Sequence, residues 1–119
     1  MKNRIIISAF MGALAVTLGA FGAHGLKKLL TPEMLKIYET GVFYHLIHSV
    51  VLLVIALNSK YKLNISFYLI LVGIILFSFS LYFYTITSVR ILPMITPIGG
   101  LCLILGWLSI IFKVLKNKD

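Results

Sequence analysis

Four long apolar stretches make up most of this chain, and short polar segments separate them. The stretches cover about residues 5–24, 40–57, 65–87 and 93–112, and they contain no Lys, Arg, Asp or Glu. A helix of about 20 apolar residues crosses the roughly 30 Å of hydrocarbon in a bilayer. The pattern therefore predicts an all-α integral membrane protein, with four transmembrane helices in an up-and-down bundle that forms one domain over residues 1–119.

The second helix is expected to begin before its membrane-crossing part. Thr31, Pro32 and Glu33 are typical of a helix start, with a capping hydroxyl, a proline that loses no hydrogen bond there, and an acid in the first turn. A helix from Pro32 to about Leu57 would be roughly 39 Å long, which exceeds the hydrocarbon thickness. We therefore predict that residues 32–39 form an interfacial extension of the second helix.

Composition narrows the class of protein further. Hydrophobic residues make up 61% of the chain, charged residues 12%, and the mean hydropathy is +1.07. A soluble domain carries about a quarter charged residues, so lipid must cover much of this surface. The net charge of +8 is spread over both termini and the loops, which favours membrane lipid headgroups and argues against nucleic acid as the partner.

The distribution of basic residues predicts the orientation in the cell (plasma or inner) membrane. With four spans, both termini and the second loop share one side. That side carries Lys2, Arg4, Lys60, Lys62, Lys113, Lys116 and Lys118. The other side carries Lys27, Lys28, Lys36 and Arg90. Because cytoplasmic loops are enriched in Lys and Arg, we predict that both termini are cytoplasmic.

Three histidines are the main candidates for chemistry. His45 and His48 lie on one face of the second helix, and His24 ends the first. At about 1.5 Å per residue, His24 lies roughly 10 Å from the depth of His45, too far to share a metal ion. The pair alone offers too few ligands, and the spans hold no carboxylate, so no metal or other cofactor is predicted. A neutral, hydrogen-bonded structural pair is favoured over metal or haem binding and over proton or substrate contact.

Other polar groups fall at similar depths inside the apolar stretches. The same count places Ser78 near the depth of His45, and Cys102, the single cysteine, near that of His48. We therefore predict a polar layer inside the bundle, with Thr96 as a further candidate. At the helix end, His24 is a candidate for a contact with the start of the second helix, where Glu33, Tyr38 or Glu39 could accept its proton, or for a simple contact with the terminal carbonyls.

Small residues mark two helices for close packing. Gly19 and Gly22 lie on one side of the first helix, and Gly99 and Gly100 lie in the fourth. In lipid, small residues allow close backbone approach, so packing within the chain is favoured over a homodimer face. Pro97 removes a backbone hydrogen bond and is predicted to kink the fourth helix.

Aromatic residues cluster at the borders of the apolar stretches, as in the aromatic belts of membrane proteins. The predicted belt residues are Tyr61, Phe67 and Tyr68 at one border and Tyr82, Phe83 and Tyr84 towards the other. Trp107 is expected to join the inner belt.

Several motifs together resemble one known family. These are residues 19–26 (GAFGAHGL), Tyr44 with His48, residues 76–82 (LFSFSLY), residues 95–100 (ITPIGG), and Gly106 with Trp107. The set is similar to the family of small, uncharacterised membrane proteins that includes bacterial YgdD and YwdK. The resemblance implies no established activity. It also implies two departures, because His45 stands where the family more usually has Gln, and Phe79 where it has Gly.

No motif indicates an enzyme. The chain has no phosphate-binding loop and no zinc-protease motif, and no buried acid is present to orient a histidine in a hydrolytic triad. We therefore expect a non-enzymatic structural or interaction component of the membrane, which contacts lipid and also another membrane protein or a second copy of itself. The alternative is a small transporter or proton-linked channel that uses the buried histidines.

Overall fold

Four long helices form the computed structural model, which describes residues 1–117. They are α1 (Lys2–His24), α2 (Pro32–Leu57), α3 (Asn64–Thr87) and α4 (Leu92–Lys116). Each is long and apolar enough to cross a membrane. The predicted all-α, four-helix membrane fold is confirmed. Lys118, which was counted in the charge balance, lies outside the described residues.

The start of α2 is built by its first residues. The Thr31 hydroxyl accepts a hydrogen bond from the Met34 backbone N–H at 3.2 Å, and Pro32 occupies the first helical position. The helix then continues to Leu57, so the polar beginning and the apolar part form one element. A short 3₁₀ turn, Leu26–Lys28, connects it to α1. The cap satisfies one of the four N–H groups that every helix start leaves without a partner.

The third helix is not regular throughout. An α-helical part, Asn64–Ile74, is followed by a π-helical turn, Ile75–Phe79, and then by a second α-helical part, Ser80–Thr87. The helix ends at Ser88, whose φ of 58° lies in the left-handed region that closes many helices. The hydrophobic pattern of this stretch does not predict the π-helical turn.

The helices pack mainly on their neighbours in the chain. Close backbone contacts join α1 to α2, α2 to α3 and α3 to α4. The Cα atoms extend over 53 × 26 × 18 Å, so the bundle is long and flattened. As a result α2 and α3 lie at its centre, while α1 and α4 each turn a large apolar face outwards.

Glycines allow the closest approaches between these helices. A Cβ added at Gly99 of α4 would lie 2.6 Å from the carbonyl carbon of Leu76 and 2.8 Å from the Cα of Phe77. A Cβ added at Gly22 of α1 would overlap the ring of Tyr38. The candidate packing residues therefore face helices of the same chain. Pro97 lies inside α4, which is helical on both sides of it. The kink expected at Pro97 stays a prediction.

Two of the predicted aromatic belt residues lie inside the bundle instead. Phe67 is fully buried and Tyr82 is 6% exposed, so their assignment to a belt is wrong. Both face a neighbouring helix, which their position along the chain does not reveal. Tyr68 and Phe83, the residues that follow them, are about half exposed and face outwards.

Candidate functional site

Polar side chains join the helices across every interface between chain neighbours. We call these bonds the interhelical hydrogen bonds, and each contributes about 0.6 kcal/mol on average in a membrane protein. They are Tyr38 Oη to the Leu18 carbonyl (2.6 Å), His45 Nδ1 with Tyr82 Oη (2.8 Å), Trp107 Nε1 to His48 Nε2 (3.0 Å), Ser66 Oγ with Ser109 Oγ (2.6 Å), and Ser80 Oγ with Thr96 Oγ1 (2.6 Å).

Both ring nitrogens of His48 are occupied, and its partners fix its tautomer. The Trp107 indole can only donate, so Nε2 of His48 accepts. Nδ1 lies 2.8 Å from the Tyr44 carbonyl, which can only accept, so Nδ1 carries the proton. His48 is therefore a neutral imidazole with no free nitrogen. A proton added at Nε2 would break the bond to Trp107.

Replacement of His48 by Phe is expected to shift the fluorescence emission of Trp107 to shorter wavelength. The chain contains one tryptophan, so the emission reports on this site alone. The indole N–H would lose its acceptor in a partly buried position. Emission spectra of the purified protein in detergent measure the shift. His24→Phe is the control, because His24 is distant in sequence and exposed, and an equal shift in that variant would contradict the assignment.

His45 is the most deeply buried of the three histidines, and one of its nitrogens has no hydrogen bond. The side chain is 0% exposed, and Nδ1 is bonded to Tyr82 of α3. Among residues 1–117, Nε2 has no hydrogen-bond partner. The Met11 backbone of α1 interacts with the ring without completing a hydrogen bond. His45 thus lies where α1, α2 and α3 meet.

The number of unmade bonds favours one tautomer of His45. If the Tyr82 hydroxyl donates to Nδ1, only the N–H at Nε2 lacks an acceptor. If Nδ1–H donates instead, both Nε2 and the Tyr82 hydroxyl hydrogen lack partners. Each buried unmade bond costs about 1–3 kcal/mol, so the first arrangement is the more stable one. Tyr82 therefore donates, and the N–H of His45 is turned to the Met11 backbone.

Gly41 makes room for this bond. A Cβ at Gly41 would lie 2.9 Å from Cε1 of Tyr82 and 3.3 Å from the backbone oxygen of Ser78. Ser78 is fully buried within the π-helical turn, and its hydroxyl has no hydrogen-bond partner among the described residues. Ser78 and the His45–Tyr82 pair therefore lie along the same α2–α3 contact.

The other predicted polar candidates have different surroundings. Thr96 of α4 is bonded to Ser80 at 2.6 Å, so it belongs to the interhelical hydrogen bonds. Cys102 is half-buried and takes no part in them. The place near His48 that depth counting assigned to Cys102 is filled instead by Trp107, which comes later in the same helix.

His24 lies apart from the other histidines. It ends α1, its side chain is exposed, and within residues 1–117 it makes no ion pair with Glu33 or Glu39. The proposed ion pair is therefore wrong. The Leu26–Lys28 turn connects α1 to α2, the two helices meet at Gly22 and Tyr38, and the His24 side chain is exposed.

The substitution His24→Gln is expected to change the thermal stability only slightly, and equally at about pH 6 and about pH 8. The side chain is exposed and forms no ion pair with a carboxylate among the described residues, so its replacement should cost little at either pH. Thermal unfolding of the detergent-solubilised wild type and variant at the two pH values measures the change in stability. A loss of thermal stability that is larger at about pH 6 than at about pH 8 would show that His24 does pair with a carboxylate.

The arrangement also defines what these residues can hold. Among residues 1–117, no three His, Cys, Asp or Glu side chains lie close enough to share a metal ion. His48 uses both nitrogens within the chain, and His45 has one left. The chemistry that the site supports best is cohesion between helices.

Tyr82 and Trp107 were not predicted as polar partners, and Tyr38, predicted as an acceptor for His24, donates instead to the Leu18 carbonyl. A usable signal was present for Trp107, because an indole N–H within an apolar helix requires an acceptor, and His48 has the matching lone pair. For Tyr82, the position near a border suggested a belt and concealed its role.

The fold and this site together define a small helical membrane protein whose polar side chains bond its helices to one another. A family profile described as "Protein of unknown function (DUF423)" matches residues 18–100. The chain belongs to this family. It is 44% identical to a UPF0382 membrane protein of Staphylococcus epidermidis and 40% identical to the UPF0382 membrane protein YwdK of Bacillus subtilis, in each case over 98% of both chains.

A relative with lower identity carries the same family name. A UPF0382 membrane protein of Haemophilus influenzae is 38% identical over 100% of this chain and 99% of its own length. No solved structure matches the chain. The predicted resemblance to the family of YwdK is confirmed, and the family has no known activity.

Proposed function

We propose that this chain is a multi-pass, non-enzymatic component of the cell membrane, with both termini in the cytoplasm, that acts through contacts of its outer faces with lipid and with another membrane protein or a second copy. One observation carries the proposal. Within the described residues, the buried polar side chains other than Ser78 make hydrogen bonds inside the protein, about half of them between helices, whereas α1 and α4 expose long apolar faces. The polar side chains inside the bundle hold its helices together, and the exposed faces of α1 and α4 are available for contacts with lipid and protein.

Site-specific photo-crosslinking in intact cells tests the interaction role. A crosslinker at Ile104 of α4 or at Phe10 of α1 is expected to form an adduct with a protein, because these side chains are 56% and 63% exposed. The control is Leu103, the neighbour of Ile104, which is 5% exposed and packs within the chain. If Ile104 and Phe10 yield lipid adducts alone, the role in protein interaction is refuted.

The proposed topology has its own test. A reporter that is active only outside the cytoplasm is expected to be silent when fused after Lys116 and active when inserted after Val89, between α3 and α4. Support comes from the excess of Lys and Arg on the side of the termini. The opposite result at both sites would reverse the orientation.

The alternative function, a proton-linked channel or small transporter, is supported by one feature. The Nε2 of His45 is the one histidine nitrogen, among those buried in the described residues, that is not engaged in a hydrogen bond. If it carries protons, liposomes with the reconstituted protein should conduct protons between about pH 5 and 8, and His45→Gln should abolish the flux. Liposomes that stay proton-tight with the folded protein exclude this alternative.

A further inference from the structure

A cavity of about 480 Å³ lies between α1 and α2, at the end where the two helices are connected. Its α1 side is made of Gly19, Gly22 and Ala23. The two glycines let α2 approach closely, since a Cβ at Gly22 would overlap the ring of Tyr38. A Cβ at Gly19 would lie 3.1 Å from Val42, and the cavity runs along this contact. The cavity is a groove open at the surface of the bundle, and Ala23 at its border is exposed.

Two opposite charges line this cavity without neutralising each other. Lys27, in the short turn after α1, and Glu39 of α2 both border it. Within residues 1–117, neither side chain makes an ion pair or a hydrogen bond. A cation and an anion held apart at one opening provide a complementary surface for a ligand that carries both charges.

The cavity changes from charged to apolar along its length. Below Glu39, the α2 side consists of Val42, Phe43 and Leu46, which follow at helical spacing on one face. From Glu39 to Leu46 the helix advances about 10 Å. The charged end lies at the connection between the helices, where lipid headgroups are found, and the apolar end points towards the middle of the membrane. This gradient matches the length and polarity of the upper part of a phospholipid.

We propose that this groove binds a zwitterionic phospholipid with a primary ammonium headgroup, as in phosphatidylethanolamine. Lys27 pairs with the phosphate, Glu39 accepts hydrogen bonds from the ammonium, and one acyl chain lies along Val42 and Leu46. A purely anionic lipid leaves Glu39 unpaired and repelled, and a choline headgroup cannot donate to it because its nitrogen has no N–H. The proposal rests on the proposed function, in which the outer faces of the bundle contact lipid.

Native mass spectrometry of the purified full chain with defined lipids tests this site. Phosphatidylethanolamine is expected to be retained about two- to fivefold better than phosphatidylglycerol, the range that one exposed ion pair supplies. Phosphatidylcholine should fall between them. Glu39→Gln should abolish this preference, and Lys27→Gln should lower the retention of all three lipids. Glu33→Gln and Lys28→Gln are matched controls that do not line the cavity and should behave as wild type.

A second pair of variants tests the groove itself. Ala23→Phe fills the opening and should reduce retention of phosphatidylethanolamine, whereas Ala20→Phe, at an exposed position of α1 outside the groove, should not. Equal retention of all headgroups by the wild type, or an equal effect of Glu33→Gln and Glu39→Gln, would refute the proposal. A dimer that Ala23→Phe dissociates without any lipid dependence would instead assign the groove to a second copy. The topology reporters keep their result in each case, so failure here is distinct from failure of the proposed function.

Discussion

Replacement of Gly99 by Ala is expected to destabilise the protein strongly, whereas the same change at Gly100 should leave it intact. The Cβ at residue 99 would enter the backbone of α3 at Leu76 and Phe77. Backbone atoms cannot move aside as a flexible side chain does, so α4 must separate from α3. Overpacking of a tight interface costs about 1–3 kcal/mol and sometimes more, and we expect the upper part of this range.

Gly100 provides the matched control because it is the next residue of the same helix. A Cβ there would meet Cδ1 of Phe77 at 3.7 Å, an ordinary van der Waals distance. Alanine is also the better helix former by about 1 kcal/mol, so Gly100→Ala should be neutral or slightly stabilising. Thermal unfolding or steric trapping in detergent measures both variants. Similar stability of the two variants would show that α3 and α4 do not approach as closely as described.

The second large loss of stability is expected from Tyr82→Phe. This change removes the donor to Nδ1 of His45 in a place from which solvent is excluded. Both nitrogens of His45 would then lack a hydrogen bond, since Nε2 already lacks one. A buried polar group left without its partner costs about 1–3 kcal/mol. Tyr84→Phe is the control, because the Tyr84 hydroxyl makes no hydrogen bond within the described residues.

A double mutant distinguishes a lost hydrogen bond from a change in packing. His45→Leu removes the imidazole and replaces it by an apolar side chain of similar size. If the cost of Tyr82→Phe arises from the orphaned imidazole, the variant with both changes should be more stable than Tyr82→Phe alone. Additive losses would mean that the two side chains do not depend on each other.

The fold could be predicted from the sequence because membranes impose a simple rule. Four apolar stretches without charges must be helices, since a helix satisfies its own backbone hydrogen bonds in lipid. The start of α2 was also predictable, because Thr31 and Pro32 act through neighbours in the sequence. The π-helical turn was not, because Ile75–Phe79 contains no residue that distinguishes it from a regular helix.

The candidate site was predicted less completely, because its bonds join residues far apart in the chain. His48 and Trp107 lie at the same depth in the bundle because α4 ends later than predicted. That helix continues to Lys116, past the predicted border near Phe112. Trp107 precedes Lys116 by as many residues as His48 precedes Leu57, so the two lie at the same depth. Long lysine side chains reach the headgroups from within a helix, which made the border residues a poor marker of its end.

The π-helical turn in α3 fixes which side chains of its second half face the protein. A π turn contains one residue more than an α-helical turn, so it shifts the phase of everything that follows. Deletion of a single residue within Ile75–Phe79 would rotate Ser80–Thr87 by about 100°, the angle between successive residues of an α-helix. Tyr82 and Ser80 would then leave His45 and Thr96 and turn towards lipid. In evolutionary terms, this stretch should tolerate substitution of its apolar side chains far better than any change in its length.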